Sequence, residues 1–169
     1  MSDLREAVSA VPAGDRRLLM RPHGCFACGE LNVAGLHLQL HADTGICWTE
    51  TALDERFMGW EGIAHGGIVT AILDEVMAWA LVDEDCWGVT ASLSVHFRRP
   101  VQIGRPIRGE GRVRERRRRL VRTEGRLIDL ETGDVLATAE AAYVDAPGDR
   151  KEELKRRYEF RVVPSGEAG

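Results

Sequence analysis

Residues 63–75 read Ile-Ala-His-Gly-Gly-Ile-Val-Thr-Ala-Ile-Leu-Asp-Glu, and apolar residues continue beyond them to Val82. The apolar side chains cover nearly every face of a helix drawn from about Gly67 to Val82. A helix that is apolar all round is expected to be buried all round. Asp74 and Glu75 interrupt this pattern at its centre. Because a buried carboxylate is costly unless it has a partner, these two acids cannot both be ordinary solvated charges.

Strand patterns flank this helix on both sides. The segments with alternating apolar residues or clear flanking turns are 36–40, 46–52, 89–97, 107–117, 119–129 and 135–144. Asp43-Thr44-Gly45 and Glu131-Thr132-Gly133-Asp134 are typical of the turns between paired strands. This order predicts an α+β fold in which an antiparallel sheet of five to six strands wraps around one long buried helix. The open edges of such a sheet predict a homodimer, with a homotetramer as the larger alternative.

The two ends of the chain have less regular patterns. Residues 1–22 are predicted to be an N-terminal extension, with a short helix over 3–10 and a loop rich in proline and glycine after it. Residues 23–145 are predicted to form the folded domain. Residues 146–169 are polar and are predicted to be a peripheral tail with a short helix at 149–159.

Composition limits the classes of function. A chain of 169 residues with 44% hydrophobic and 30% charged residues suits one globular domain. The net charge of −4 gives no reason to expect nucleic acid. The arginines between 112 and 126 divide between two strand faces and lack interleaved aromatic residues, so we expect a solvated or edge-protecting surface, with phosphate binding as the alternative. Neither a secretion signal nor a bilayer-spanning run is present, so we expect a cytoplasmic protein without membrane contact.

Cys25 and Cys28 form a CxxC motif in a glycine-rich loop. A structural zinc site usually needs four ligands, and a second CxxC motif is missing because Cys47 and Cys86 stand alone. We therefore favour structural cysteines and expect neither a metal nor a cofactor. Metal binding and redox chemistry by this motif remain the alternatives.

The start of the predicted helix suits an anionic ligand. Gly66 and Gly67 let the backbone approach a ligand closely, and the N–H groups of the first helical turn are unpaired. The helix dipole also favours negative charge there, as on a carbonyl oxygen that becomes an oxyanion. An acid two turns further along would be a natural partner for activating water.

These residues resemble the hotdog-fold thioesterases of the phenylacetate-pathway type, in which His-Gly-Gly precedes a buried helix that bears an acid. Cys25-Phe26-Ala27-Cys28-Gly29 and Phe57-Met58-Gly59-Trp60-Glu61-Gly62 are similar to the preceding part of one bacterial branch. The resemblance covers about residues 23–145. It implies the hotdog fold and the hydrolysis of an acyl-CoA thioester to free acid and CoA, without a cofactor.

The resemblance also implies catalytic roles. Asp74 falls where these enzymes carry the acid that acts as general base or nucleophile. Glu75 is turned by about 100° around the helix relative to Asp74, so only one of the two should face the substrate, and we favour Asp74. The backbone N–H of Gly67 would polarise the thioester carbonyl, and His65 would position the loop. Thr90 stands where a Ser or Thr orients the attacking water.

Substrate-binding positions follow from the same resemblance. Relatives often carry Asn or Gln where this chain has Gly59, so either another group such as Glu61 or His65 substitutes for it or the activity is weaker than in those relatives. In the family, the cleft lies at a dimer interface, so the His65-Gly66-Gly67 segment and Asp74 would come from different subunits. The residues expected to contact acyl-CoA are Gly59, Trp60, Glu61, Gly66, Arg98 and Arg99.

Two other functions remain open at this stage. One is a non-catalytic acyl-CoA-binding or sensor protein, which the glycine at position 59 keeps open. The other is an acyl-thioester hydratase or dehydratase, which is disfavoured because the spacing from His65 to Asp74 fits neither arrangement.

Overall fold

The computed structural model describes residues 9–166. The strands in this range are β1 (Ser9–Ala13), β2 (Arg16–Met20), β3 (Leu40–Asp43), β4 (Ile46–Ala52), β5 (Met58–Trp60), β6 (Ile63–Ala64), β7 (Gly88–Phe97), β8 (Pro106–Arg117), β9 (Leu120–Asp129), β10 (Val135–Asp145) and β11 (Arg161–Pro164). The helices are α1 (Gly66–Trp79) and α2 (Gly148–Arg157). Nine of these strands form one sheet in the order β11-β2-β1-β3-β4-β8-β9-β10-β7, and β5 and β6 form a separate hairpin.

The neighbouring strands β3, β4, β8, β9, β10 and β7 form the predicted antiparallel sheet of six strands. Helix α1 lies across one face of this sheet. The helix turns its buried side chains toward the strands, and these are Val69, Ile72, Leu73, Val76 and Met77. The α+β architecture with one long helix against an antiparallel sheet is confirmed. Most strand bounds agree with the sequence patterns, and none of the described helices has the length and apolar character needed to cross a membrane.

Glycines on β8 and β9 let α1 sit close to the sheet. A Cβ atom at Gly111 would lie 2.5 Å from the backbone carbon of Val76, and one at Gly125 would lie 3.1 Å from Met77. A Cβ atom at Gly109 would lie 2.9 Å from Ile72. Real Cβ atoms do not approach a backbone so closely. Position 111, beneath Val76, must therefore be glycine for α1 to keep its position on the sheet.

The ends of the chain extend the sheet, which the sequence patterns did not predict. β1 and β2 form a hairpin within the segment expected to be a loop, and β1 meets β3 in a parallel pairing at Ala13 and Ala42. β11 comes from the predicted tail and pairs with β2, while α2 confirms the short helix there. The helix predicted over 3–10 lies mainly outside the described residues, and its last two positions belong to β1.

Two other boundaries differ from the prediction. The strand expected at 36–40 begins only at Leu40, because Leu36 and Leu38 donate their N–H groups to the carbonyls of Phe26 and Ala27. His37 between them has a φ of 50°, which is incompatible with a regular strand. The helix ends at Trp79 rather than at Val82, and Val82–Glu84 forms a separate 3₁₀ turn.

Candidate active site

His65 begins α1 and caps it with its own side chain. Its Nδ1 atom accepts the backbone N–H of Gly67 at 2.9 Å, and its backbone N–H is held by the carbonyl of Phe57 at 2.8 Å. Since Nδ1 is an acceptor, the proton of a neutral ring lies on Nε2. The Gly67 N–H is thus already bonded, whereas the Gly66 N–H has no acceptor among residues 9–166.

Gly59 lies directly against His65. A Cβ atom at this position would be 3.0 Å from the Cα atom of His65 and 3.4 Å from its Cβ and Cδ2 atoms. A larger residue at position 59 would therefore displace His65. Relatives often carry an Asn or Gln side chain at position 59, and in this chain the imidazole ring of His65 borders the space beside that position.

Asp74 lies two turns into α1 and faces β7 and β10. Thr90 donates its hydroxyl to Asp74 Oδ1 at 3.0 Å and lies 3.4 Å from Oδ2. The Tyr143 hydroxyl donates to Oδ1 at 2.7 Å and lies 3.0 Å from the backbone oxygen of Asp74. Burial and the neighbouring charge of Asp74 raise the pKa of Tyr143, so this hydroxyl stays protonated. Both hydroxyls converge on Oδ1 and leave Oδ2 more open to a water molecule.

An irregularity in the sheet brings these two hydroxyls to one point. Ala142 pairs with Ser92, but the next pair along β10 is Tyr143 with Thr90, so Ala91 is an extra residue on β7. In a regular strand Thr90 would point away from the helix, because side chains alternate between faces. The bulge resets the alternation and turns Thr90 toward Asp74.

Glu75 points to another side of α1, toward the loop before β3. Trp79 Nε1 donates to Glu75 Oε1 at 2.9 Å, and Cys25 Sγ lies 3.7 and 3.9 Å from the two carboxylate oxygens. Burial and the nearby Cys25 raise the pKa of Glu75 to about 7. The hydrogen bond between the cysteines lowers the pKa of Cys25 to about 5 and, together with burial, raises that of Cys28. The ligand atoms of Cys25, Cys28 and Glu75 lie within 4.8 Å of one another, so this group could hold a metal.

The predicted site residues thus form two groups at opposite ends of the exposed strand β7. Gly66 and Asp74 are eight residues apart, or about 12 Å along the helix axis. Phe97 marks the first end, since a Cβ atom at Gly66 would lie 3.4 Å from its ring, and Thr90 marks the second. One chain alone therefore does not bring the helix start and Asp74 to a common reacting atom.

The remaining predicted residues lie on the surface around these groups. Trp60 is 82% exposed on β5, and Glu61 is exposed in the adjoining turn. Arg98 lines a groove of about 670 Å³ on the sheet face opposite α1, and Arg99 forms an ion pair with Asp134 at 3.6 Å. The substrate contacts expected of these four residues stay predictions.

Tyr143 was missed by the sequence patterns. It appears there as one aromatic residue in an apolar strand, Ala141-Ala142-Tyr143-Val144. A buried tyrosine hydroxyl needs a hydrogen-bond partner, and that requirement is the one signal in the sequence that could have linked it to an acid.

Most arginines of the 112–126 region pair with carboxylates of the fold. Such pairs are Arg112 and Arg114 with Glu124, Arg116 with Asp145, Arg117 with Glu115, and Arg126 with Glu110.

Comparison with known proteins finds a similar architecture in solved structures of thioesterase superfamily proteins. The model of the thioesterase superfamily matches residues 61–136. A solved thioesterase superfamily protein is 26% identical with a TM-score of 0.63; the alignment covers 68% of this chain but only 56% of that one, so this chain spans just over half of its length. No curated protein sequence matches this chain.

Two further solved structures share the fold. PaaI of E. coli, from the phenylacetic acid degradation operon, aligns with a TM-score of 0.63 at 16% identity and covers 67% of this chain and 82% of its own. A hypothetical thioesterase protein with coenzyme A from Streptococcus pneumoniae aligns with a TM-score of 0.58 at 16% identity, covering 61% of this chain and 80% of its own. At such identities the likeness concerns the fold alone.

Proposed function

We propose that this chain, whose residues 61–136 match the thioesterase superfamily and whose fold is shared by thioesterase structures, hydrolyses an acyl-CoA thioester to the free acid and CoA. The observation that supports the proposal is the Asp74 carboxylate, whose Oδ1 accepts hydrogen bonds from two hydroxyls while Oδ2 has only the longer contact of 3.4 Å with Thr90.

In this mechanism Asp74 is the general base. Oδ2 accepts a proton from a water molecule, and the water oxygen forms a bond to the thioester carbonyl carbon. Thr90 donates its hydroxyl hydrogen to Asp74, so its lone pairs are free to accept a hydrogen bond from that water. Collapse of the tetrahedral intermediate breaks the carbon–sulfur bond, and the proton held by Asp74 passes to the leaving thiolate. General-base assistance of this kind typically contributes about 10²–10⁴-fold in rate.

The start of α1 would bind the carbonyl oxygen. The Gly66 N–H and the Nε2–H of His65 are the two donors that the geometry leaves available, because the Gly67 N–H is bonded to His65 Nδ1. A role for Gly67 in the oxyanion hole would require His65 to turn away from it. The Nε2–H of His65 would thus supply the side-chain hydrogen-bond donor that Gly59 does not provide. Removing one such donor commonly lowers the rate by about 100-fold.

The two halves of the site would meet across a homodimer. β7 is a sheet edge of ten residues and pairs only with β10 within the described chain. Antiparallel pairing of two β7 strands about a twofold axis near Leu93 and Ser94 would place Thr90 of one copy opposite Phe97 of the other. The Asp74 end of each copy would then lie beside the Gly66 end of its partner, and two equivalent sites would form.

The surface along this edge supports such pairing. Val89, Phe97 and Trp60 are 74%, 55% and 82% exposed in the single chain. Large apolar side chains beside an open strand edge favour a second copy over water. Trp60 would then lie at the rim of the paired site, where the acyl group enters.

The experiment that tests the function measures thiol release from short-chain, long-chain and aromatic acyl-CoAs. Wild type should turn over at least one class, and Asp74→Asn should lose about 100-fold or more in kcat. Asp15→Asn, which changes a carboxylate that is 99% exposed, is the control and should keep kcat within a few-fold. If wild type is folded and binds acyl-CoA without releasing thiol, the protein is a binding module. If Asp74→Asn hydrolyses as fast as wild type, the assigned base is wrong.

A further inference from the structure

Three groups that commonly bind metals converge on a side of α1 that does not face Thr90. Cys25 Sγ, Cys28 Sγ and a carboxylate oxygen of Glu75 lie within 4.8 Å of one another, and Cys25 Sγ is 3.7 Å from Glu75 Oε2. In a tetrahedral zinc site, with Zn–S near 2.3 Å and Zn–O near 2.1 Å, ligand atoms are about 3.5–3.8 Å apart. The separation of Cys25 Sγ and Glu75 Oε2 falls in this range, and the upper bound of 4.8 Å for the cluster exceeds it by about 1 Å, so small side-chain rotations would form three corners of such a tetrahedron.

We propose that Cys25, Cys28 and Glu75 bind one Zn²⁺ ion, which clips the loop before β3 to helix α1. Two thiolates and a carboxylate are a donor set that suits zinc, and the ion would offset two of their three negative charges. Within residues 9–166 no further His, Cys, Asp or Glu belongs to the group, so water would occupy the fourth position.

The loop that carries the cysteines has the shape of a preformed ligand turn. The Gly29 N–H donates to the carbonyl of Cys25 at 3.0 Å, and the backbone N–H groups of Ala27 and Cys28 are directed at the Cys25 sulfur. A Cβ atom at Gly29 would lie 2.3 Å from the carbonyl oxygen of His23. The turn therefore requires glycine, and it places both sulfur atoms on the side that faces Glu75.

The third ligand is oriented by its own partner. Trp79 Nε1 donates to Glu75 Oε1 at 2.9 Å, which leaves Oε2, the oxygen nearer to Cys25, for the ion. A hydrogen bond of this kind behind a metal ligand fixes the ligand's direction and typically changes metal affinity by about 10–100-fold. Such an arrangement favours a metal site over a chance contact of three side chains.

The ion would act on the fold and not on the thioester. Glu75 is adjacent to Asp74 but points about 100° away from it around the helix, toward Cys25 and not toward Thr90, so the metal would hold α1 against the Cys25–Cys28 loop away from the reacting groups. This places the proposed zinc outside the hydrolytic chemistry. Its presence or absence can therefore be measured without reference to activity.

The test uses the full chain, purified without chelators and kept reduced, and measures its metal content by elemental analysis. Wild type should carry close to one zinc per chain. After removal of the metal, titration with Co²⁺ should produce a thiolate-to-cobalt charge-transfer band and the visible bands of a tetrahedral site. Cys28→Ser and Glu75→Gln should lose tight binding, and Trp79→Phe should bind about 10–100-fold more weakly. Cys86→Ala, which changes a buried cysteine outside the cluster, is the matched control and should bind like wild type.

Other results would overturn the proposal. Wild type that stays metal-free after reduction and incubation with Zn²⁺ would show that the cluster is not a metal site, as would Co²⁺ spectra without a thiolate band. A Cys25–Cys28 disulfide that forms in air and is unaffected by excess Zn²⁺ would identify a redox pair instead. Should Cys28→Ser fail to fold, the near-isosteric Glu75→Gln decides, because binding equal to wild type would exclude Glu75. None of these outcomes bears on the hydrolase proposal.

Discussion

Tyr143 and Thr90 are direct partners across β10 and β7, and both donate their hydroxyls to the same oxygen of Asp74. Their roles differ because their exposure differs. Tyr143 is 1% exposed and belongs to the core, whereas Thr90 lies on the open strand. Tyr143 therefore fixes the direction of the carboxylate from the core side, and in the proposed mechanism Thr90 accepts a hydrogen bond from the attacking water molecule.

Tyr143→Phe tests the positioning role. We expect kcat to fall by about 10–100-fold with little change in KM, because a displaced base slows proton transfer without weakening substrate binding. The loss of the hydrogen bond should also cost about 1 kcal/mol in the free energy of unfolding. Tyr158→Phe, at the other tyrosine of the chain, is the control and should keep the wild-type kcat. A fall in stability without a fall in kcat would make Tyr143 a purely structural residue.

Mixing two inactive variants tests whether the site is shared between chains. His65→Ala removes a donor at the helix start, and Asp74→Asn removes the base. Random exchange of subunits gives about half heterodimers, each with one intact site, so a mixture should regain roughly a quarter of wild-type activity. Thiol release is measured after the two proteins are exchanged in mild denaturant. A mixture no more active than its components would place both groups in the site of one chain.

Gly111→Ala tests the contact between α1 and the sheet. The new Cβ atom would lie 2.5 Å from the backbone of Val76, so either the helix or the strand must move. We expect a loss of about 3 kcal/mol in the free energy of unfolding, the upper part of the range for overpacked cores. Gly148→Ala has open space at its Cβ position and should be nearly neutral in the same urea titration. Equal stability of the two variants would show that α1 does not lie as closely on β8 as described.

Asp145 makes stability depend on pH. Burial alone would raise its pKa, but hydrogen bonds from Lys151 and the Trp87 N–H, and the charges of Lys151 and Arg116, lower it instead. A lower pKa in the folded chain means that the charged form stabilises the fold above the unfolded pKa of about 4, and that this stabilisation is lost as pH falls further.

The matching variant is Asp145→Asn, measured by thermal unfolding from neutral to acidic pH. At neutral pH this variant should be about 2 kcal/mol less stable than wild type, because Lys151 and Arg116 lose charged hydrogen bonds to a buried carboxylate. The difference should shrink as the pH falls, since wild type then loses the same charge. Asp15→Asn changes a carboxylate that is 99% exposed and should stay close to wild type throughout. A constant difference at all pH values would argue against the charge of Asp145 as the cause.

The parts of the fold that follow from local pattern were predicted well. The alternation within 89–97 and the turn at Glu131–Asp134 depend on neighbouring residues only, and β7 and the β9–β10 connection have those bounds. β1, β2 and β11 were missed because they have only four or five residues each and β11 pairs with β2 across almost the whole length of the chain. Such pairings leave little trace in the periodicity of any one segment.

In the candidate site too, groups within one continuous segment were predicted, and contacts between distant segments were missed. Asp74 and the helix start were found from spacing and resemblance, since both lie within one continuous segment. Tyr143 and the Cys25–Glu75 contact join residues 69 and 50 positions apart, so they depend on how the sheet and loop close around α1. The bulge at Ala91 adds a one-residue shift that reverses which face Thr90 occupies. No count of alternating residues contains that information.

The two edge strands of the sheet differ in how readily they could pair with a strand of another chain. At one end β7 offers ten residues of open backbone, whereas at the other β11 has four residues and ends in Pro164. Proline has no N–H to donate, and a short edge gives little area for another strand. Pairing through β7 about a twofold axis would use that edge in both copies at once. The resulting assembly would be finite, because the outer edge strand of each copy would be β11, which pairs poorly with further chains. A fibre could not extend from either edge of the joined sheet.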